Sequence, residues 1–417
     1  MHVSLVGINH QTSPISVREK VAVGSGQLDH SLSLLRACIP YGIILSTCNR
    51  TEVYTTDRDG GNAWEASLSF LKTQTNIDEV NLRQCTYTSQ DEDAIEHLFR
   101  VSAGLESMVV GEFEVLGQIG HALEVAEAAG MVDLPLRHIF QGAIRAGRRV
   151  RSETEISKNA LSVSSVAVDL ASKIVGDLSK CKILVVGTGE AGSLVLKVAR
   201  ERGASHIVVA SRTRERAEVL ANRVGGIPTS ASNLGEAVSK ADIVVTCTGA
   251  PRFILNEPQV RAAMKQRQQL PLVIIDIAVP REVEPAVGQI ENVFLYNIDN
   301  LTEIATVNRK QRQGETEQAT EIVRTEVAKL TAWWRLLEVR PVVSALMSKA
   351  EEIRQAQLEK TLKKLPPLSG EERENLEAMT KAIVTKILKE PIQYLKDKGD
   401  GQYAEAVREL FQLEGEE

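Results

Sequence analysis

Hydrophobic and polar positions fall into three textures along the chain. Residues 1–155 mix short apolar runs, His2–Ile8 and Gly42–Leu45, with helical spacing such as Ala94–Val101, which leads into the glycine-punctuated stretch SAGLESMVVGEFEVLGQIG. Farther on, β-rich runs (KILVV, HIVVA, DIVVTC, LVIIDI and NVFLYN) alternate with amphipathic segments. That alternation predicts a parallel sheet with crossover helices. The last region has almost no β signal. Its apolar residues at Val323, Val327, Leu330, Trp334 and Leu337 recur at helical steps and form a coiled-coil-like seam. Pro341 predicts the end of that helix, because proline lacks the N–H the ladder needs. A second helix is expected from Val342 to about Leu365. Ser369, with Glu372 three residues on, predicts the N-cap of a third helix, which runs through Leu388 to a break or kink at Pro391. Helices this long with no sheet to cover need a partner for their apolar stripes. A homodimer supplies one; intramolecular packing is the alternative. The expected domains are 1–155, 156–305 and 306–417.

Composition narrows the function classes. A chain of 417 residues is long for one core and predicts two or three domains. Aromatics are only 4%, too few for a stacking platform for single-stranded nucleic acid. With a net charge of −6, any polyanion must meet a local basic patch. One candidate exists: Arg137, Arg145, Arg148, Arg149 and Arg151 lie between Leu134 and Ser152 with no acidic residue among them. Either phosphate contact or intramolecular ion pairing explains it. The five cysteines are odd in number and widely spaced, with no CxxC pair, and the seven histidines are scattered. The expectation is free thiols in a reducing, cytoplasmic setting and no metal site. MHVSLVGINH lacks a signal-peptide layout, and no apolar run approaches the ~18 residues of a membrane helix.

The most specific general motif is Gly187-Thr188-Gly189-Glu190-Ala191-Gly192. It follows the strand-like Lys182–Val186 and opens the helical Ser193–Arg202, the context that makes GxGxxG a dinucleotide loop. The glycines permit a tight turn, approach to a pyrophosphate and close packing of helix on strand, and the helix N-terminus favours the anion. The next strand, Ile207–Ala210, ends in Ser211-Arg212-Thr213-Arg214. No acidic residue stands there to hold a ribose 2′-hydroxyl, whereas guanidinium groups match a 2′-phosphate. NADPH is therefore the expected cofactor. Arg212 is the candidate contact; Arg214 and Arg216 read equally well as a solvated helix start.

Among the cysteines, Cys38, Cys181 and Cys247 read as small core residues and Cys85 as part of a strand-like stretch. Cys48 differs, being enclosed by the polar run Ser46-Thr47-Cys48-Asn49-Arg50-Thr51-Glu52. A nearby cation favours the reactive thiolate. Arg50 either supplies that charge or holds a substrate carboxylate. A thiol nucleophile beside a nicotinamide domain suggests acyl transfer to sulfur followed by hydride reduction of the thioester to an aldehyde.

Dispersed motifs in order resemble the glutamyl-tRNA reductase family: GINHQTSPISVREK, LSTCNRTEVY, HLFRVSAGLESMVVGE with VLGQ, RVRSETEIS, SVSSVAVDLA, GTGEAG, DIAVPREVEP and LYNIDNL. The resemblance implies an α/β multidomain build. It has an α+β catalytic domain, a Rossmann-type parallel-sheet NADPH domain and an all-α dimerisation domain reached by a long helix. It implies that Cys48 attacks the ester joining glutamate to its tRNA and that NADPH then yields glutamate-1-semialdehyde, opening five-carbon-route tetrapyrrole synthesis. Thr47, Asn49 and Arg50 would line the glutamate pocket, with Arg50 on the substrate carboxylate, and Ser107, Glu112, Phe113, Glu114 and Gln118 would contact substrate. His97 matches a histidine important for activity; on residue grounds, beside Leu98 and Phe99, it reads equally as a core histidine. Phe113-Glu114 departs from the family's Pro-Gln or Gly-Gln. A homodimer and an aldehyde-receiving partner, glutamate-1-semialdehyde aminomutase, are the implied associations. Rival readings are an acyl-phosphate or shikimate-dehydrogenase-like reductase, which leaves the N-terminal motifs and the long helical tail unexplained, and an NADPH-binding dimeric regulatory protein with Cys48 as a redox sensor.

Overall fold

The apolar runs near the N-terminus form two strands, β1 (His2–Asn9) and β2 (Gly42–Ser46), both nearly continuous in burial. They join β3 (Arg50–Asp57) and β4 (Tyr87–Gln90) in an antiparallel sheet of order β2-β3-β1-β4. The helices Asp91–Ser102, Glu114–Ala128 and Leu134–Glu153 pack against it. They bury Phe99, Ile119 and Phe140, and Phe140 meets Tyr54 edge-on at 5.4 Å. This computed structural model describes residues 2–413 apart from 25, 58–62, 76, 109–110, 113, 155, 157–161, 268–269, 302–312 and 399–400.

A second sheet has six parallel strands: β5 (Lys182–Val186), β6 (His206–Ser211), β7 (Ile227–Ser230), β8 (Ile243–Thr246), β9 (Leu272–Asp276) and β10 (Val293–Asn297). Their order is β10-β9-β8-β5-β6-β7. Chain direction across the sheet reverses between β5 and β8, the switch point at which such sheets bind ligands beyond their strand ends. Strands buried on both faces explain the uninterrupted Val and Ile runs. Helix Glu190–Glu201 packs on β5 directly after the glycine loop.

The chain divides into two compact units, Met1–Val327, which holds both sheets, and Ala328–Glu417. The second unit is helical. Its Gly370–Lys398 and Gly401–Phe411 helices meet through Tyr394 and Tyr403, and Lys349 donates to the carbonyls of Phe411 and Gln412 at 2.8 Å.

Several expectations need correction. Pro341 does not end its helix, which runs unbroken from Gln313 to Leu362. The proline removes one ladder bond, and burial of Val339, Val342 and Leu346 around it offsets that loss. Pro391 likewise lies inside Gly370–Lys398. The capping box holds: the Ser369 N–H donates to Glu372 at 2.8 Å and the Glu372 N–H to Ser369 Oγ at 3.3 Å. Cys38 is exposed rather than core, since it lies past the end of helix Leu28–Arg36. Cys85 closes helix Glu79–Cys85 instead of belonging to a strand. Two strands were not expected at all: β3, hidden in a polar run, and β7, too short and polar to signal itself.

Candidate functional site

Cys48 sits in the tight turn between β2 and β3. Thr47 Oγ1 accepts from the N–H groups of Asn49 and Arg50 at 3.1 and 3.2 Å, and the Thr47 N–H donates to the Arg50 carbonyl at 2.8 Å. These bonds fix the turn that presents the sulfur. The half-buried Cys48 packs with Val163 and Val279 on a cluster of Ile15, Met108 and Ile298. The nucleophile candidate is thus covered by residues that precede and follow the parallel sheet, not only by its own antiparallel sheet. Asn49 is buried, and its Oδ1 has no hydrogen-bond partner among the described residues.

The charges around the thiol differ from expectation. Burial, then the Glu112 and Glu114 carboxylates, push the Cys48 thiol up, while Arg18 pulls it down. The cation acting on the sulfur is therefore Arg18. Arg50 is committed elsewhere: its guanidinium donates to Glu52 Oε1 at 2.7 Å and to the Glu106 carbonyl at 2.5 Å, and lies 3.4 Å from His97 Nε2.

Glu52 is the hub of that second cluster. It is fully buried, accepts from the hydroxyls of Tyr54 (2.7 Å) and Tyr87 (2.5 Å), and lies 2.9 Å from His97 Nε2. Burial works to raise its carboxyl, but Arg50 and His97 more than offset this and hold it well below the usual carboxylate range. His97, half-buried at the edge, is thereby tied into an ion-paired network and is not a lone core histidine.

On the loop after helix Asp91–Ser102, Ser107 is buried and hydrogen-bonds to Glu112. Burial raises Glu112. Burial, then Glu112 and Glu190, push Glu114 up to about 7. Glu190 belongs to the glycine loop, so the acidic rim of the thiol site and the dinucleotide loop share one electrostatic neighbourhood. Gln118 is half-buried on helix Glu114–Ala128 with no hydrogen bond to these groups. Phe113 lies outside the described residues.

The glycine loop has the shape a dinucleotide needs. A Cβ on Gly187, at φ +133°, would meet the Cys247 carbonyl at 2.6 Å, and one on Gly192 would meet the Gly187 carbonyl at 2.3 Å. A Cβ on Gly189 would meet nothing within 4 Å: two glycines allow close packing, and the middle one faces open space at the helix N-terminus. Thr188 Oγ1 and Ser211 Oγ lie 3.3 Å apart. Arg212 is exposed and forms no ion pair among the described residues, whereas Arg214 pairs with Glu218 at 2.9 Å.

Within the basic stretch, Arg137 pairs with Glu127, and Arg149 with Glu153 and Glu326. Arg145 and Arg148 are exposed on helix Leu134–Glu153, with no ion pair among the described residues. No His/Cys/Asp/Glu group that could hold a metal ion occurs among the described residues. No described helix is long and apolar enough to cross a membrane.

Comparison with known proteins decides the family. Residues 6–154 match the model "Glutamyl-tRNAGlu reductase, N-terminal domain", 169–304 match "Shikimate / quinate 5-dehydrogenase", and 318–413 match "Glutamyl-tRNAGlu reductase, dimerisation domain". A glutamyl-tRNA reductase of Natranaerobius thermophilus is 40% identical over 427 residues, covering 100% of this chain and 93% of the relative. One from Roseiflexus is 38% identical, covering 99% and 97%. The chain belongs to the glutamyl-tRNA reductase family. The solved glutamyl-tRNA reductase of Methanopyrus kandleri is 31% identical over 99% of both chains, with a TM-score of 0.51. As a glutamyl-tRNA reductase family member the protein is an oxidoreductase of tetrapyrrole synthesis, with a dehydrogenase-type nucleotide domain.

Sequence reasoning on this reductase missed Glu52, Arg18 and His10. Glu52 was findable: reading CNRTEVY with period two puts Arg50, Glu52 and Tyr54 on one face of a strand. Arg18 and His10 lie within the quoted motif GINHQTSPISVREK, but only tertiary packing shows that they reach the site.

Proposed function

We propose that this protein reduces the glutamyl group of glutamyl-tRNA to glutamate-1-semialdehyde, using NADPH and a thioester on Cys48. The observation that carries the reading is the position of Cys48: on a rigid turn, half-buried, packed against segments flanking the nucleotide sheet. The Cys48 thiolate attacks the ester carbonyl, the carbon–oxygen bond to the tRNA 3′ end breaks, and that oxygen leaves with a proton. Reduced nicotinamide, when bound, supplies the hydride that converts the thioester to aldehyde and frees the thiolate. Gly187, Thr188, Gly189, Glu190, Ala191 and Gly192 would hold the pyrophosphate, with Ser211 and Arg212 at the 2′-phosphate.

Thr47, Asn49, Ser107, Glu112, Glu114 and Gln118 form the glutamate side of the pocket in this reading, and the unpartnered Asn49 Oδ1 is an acceptor available to the substrate ammonium. Arg50 meets the substrate carboxylate while Glu52 and His97 orient it, which makes His97 a positioning residue. Arg145 and Arg148, exposed and without an ion pair among the described residues, are the groups available for tRNA phosphates. The three domains are 1–155, 156–305 and 306–417; the last pairs two copies, and a reducing cytoplasm keeps the thiol free.

The test is mass spectrometry after mixing the protein with glutamyl-tRNA and no nucleotide. A glutamyl adduct confined to the Cys48 peptide, and absent from Cys48→Ser, is the expected result. Undiminished aldehyde production by Cys48→Ser would sink the reading.

A further inference from the structure

Two consecutive residues of helix Ile15–Val21 reach across to the segments around the parallel sheet. Arg18 is 3% exposed; its Nη1 donates to the Cys48 carbonyl at 3.0 Å, and its Nη2 donates to Asp299, which follows β10. Asp299 also accepts the Ile15 N–H at 3.3 Å. Glu19 takes Arg281 Nε at 2.9 Å and Nη2 at 2.7 Å. One helix turn is therefore pinned to the nucleotide-binding half by two ion pairs, and one of those arginines rests on the backbone of the nucleophile.

We propose that Arg18 is a positioning residue for Cys48: held by Asp299, it keeps a buried guanidinium on the Cys48 carbonyl, so that its charge favours the thiolate, and makes the nucleophile's readiness depend on the nucleotide half being docked. This rests on the thioester reading above. A buried arginine with its remaining hydrogen-bond partners fixed offers a directed charge that a solvated side chain does not. Around the sulfur it opposes burial, and after it Glu112 and Glu114, all of which disfavour the thiolate. His10 also feels Arg18, and burial together with Arg50 and Arg18 lowers its pKa to about 4, so it adds no competing positive charge near neutrality. Arg18 Nε has no hydrogen-bond partner among the described residues, which leaves one donor over at the site.

The experiment is the pH profile of Cys48 alkylation by iodoacetamide, read by peptide mass spectrometry with the exposed Cys38 as internal reference. It needs neither tRNA nor nucleotide, so it stands apart from the adduct experiment that tests the thioester itself. Arg18→Gln should slow Cys48 labelling at pH 7 at least ten-fold and move the midpoint up, leaving Cys38 unchanged, because labelling rate follows the thiolate fraction. Arg18→Lys, which keeps the charge but loses the fork, should fall between. Asp299→Asn decides whether position matters: labelling slows if Asp299 holds Arg18 in place and quickens if it merely neutralises it. An unchanged profile in Arg18→Gln, or in Arg18→Lys should the glutamine variant not fold, overturns the proposal; so does faster labelling in Asp299→Asn.

Discussion

Glu114 shows what a single misplaced charge costs the reductase. Its carboxyl, ordinarily near 4.5, is pushed up to about 7 by burial, then by Glu112 and Glu190. Below pH 4.5 it is protonated both folded and unfolded and costs nothing. As pH rises toward 7 the unfolded chain gives up the proton while the folded chain keeps it, so stability falls across that window, by on the order of 2 kcal/mol at this half-buried position. Glu114→Gln should remove the fall and raise stability at pH 8 by a similar amount. Urea denaturation at pH 5 and pH 8 checks it; an equal drop in the glutamine variant contradicts the assignment. The Arg50–Glu52 pair illustrates the opposite case, a buried charge fully answered by Arg50, His97 and two tyrosine hydroxyls.

Among elements, the glycine loop makes the sharpest prediction because its glycines differ. Gly192→Ala places a methyl 2.3 Å from the Gly187 carbonyl and should destabilise the fold by about 2 kcal/mol or more, since backbone cannot yield as a side chain can. Gly189→Ala has room and an ordinary φ of −77°; on the proposed reading it should fold normally yet lose most NADPH affinity, because the methyl would enter the space proposed for the pyrophosphate. Calorimetric unfolding with nucleotide titration separates the two; equal behaviour would contradict the loop's assignment. This loop was legible in advance since its signal is local: an apolar strand, three spaced glycines, a helix. The parallel strands were legible for the same reason. β3 was not, because its polar residues are satisfied by one another inside the protein and leave no apolar run to mark the strand. Pro341 misled because a rule for isolated helices meets an apolar surface that outweighs one lost bond.

At the scale of the molecule, the helical unit leaves Met379, Ile383 and Ile387 exposed at four-residue spacing on helix Gly370–Lys398. A stripe of this kind calls for a partner, and the match to a dimerisation-domain model makes a second copy the natural one. Ile383→Glu with Ile387→Glu should convert a dimer to monomer by sedimentation; an unchanged mass would place the interface elsewhere. Within the first unit, Cys48 packs with Val163 and Val279 against Ile298, and the proposed function requires sulfur chemistry and hydride chemistry to meet there. The direct test begins with glutamyl-Cys48 protein prepared without nucleotide and freed of tRNA. NADPH carrying deuterium at the transferable position is then added. The account predicts that the adduct disappears as one equivalent of aldehyde deuterated at C1 is released. An adduct that survives NADPH, while fresh glutamyl-tRNA is still reduced by the same protein, would contradict it.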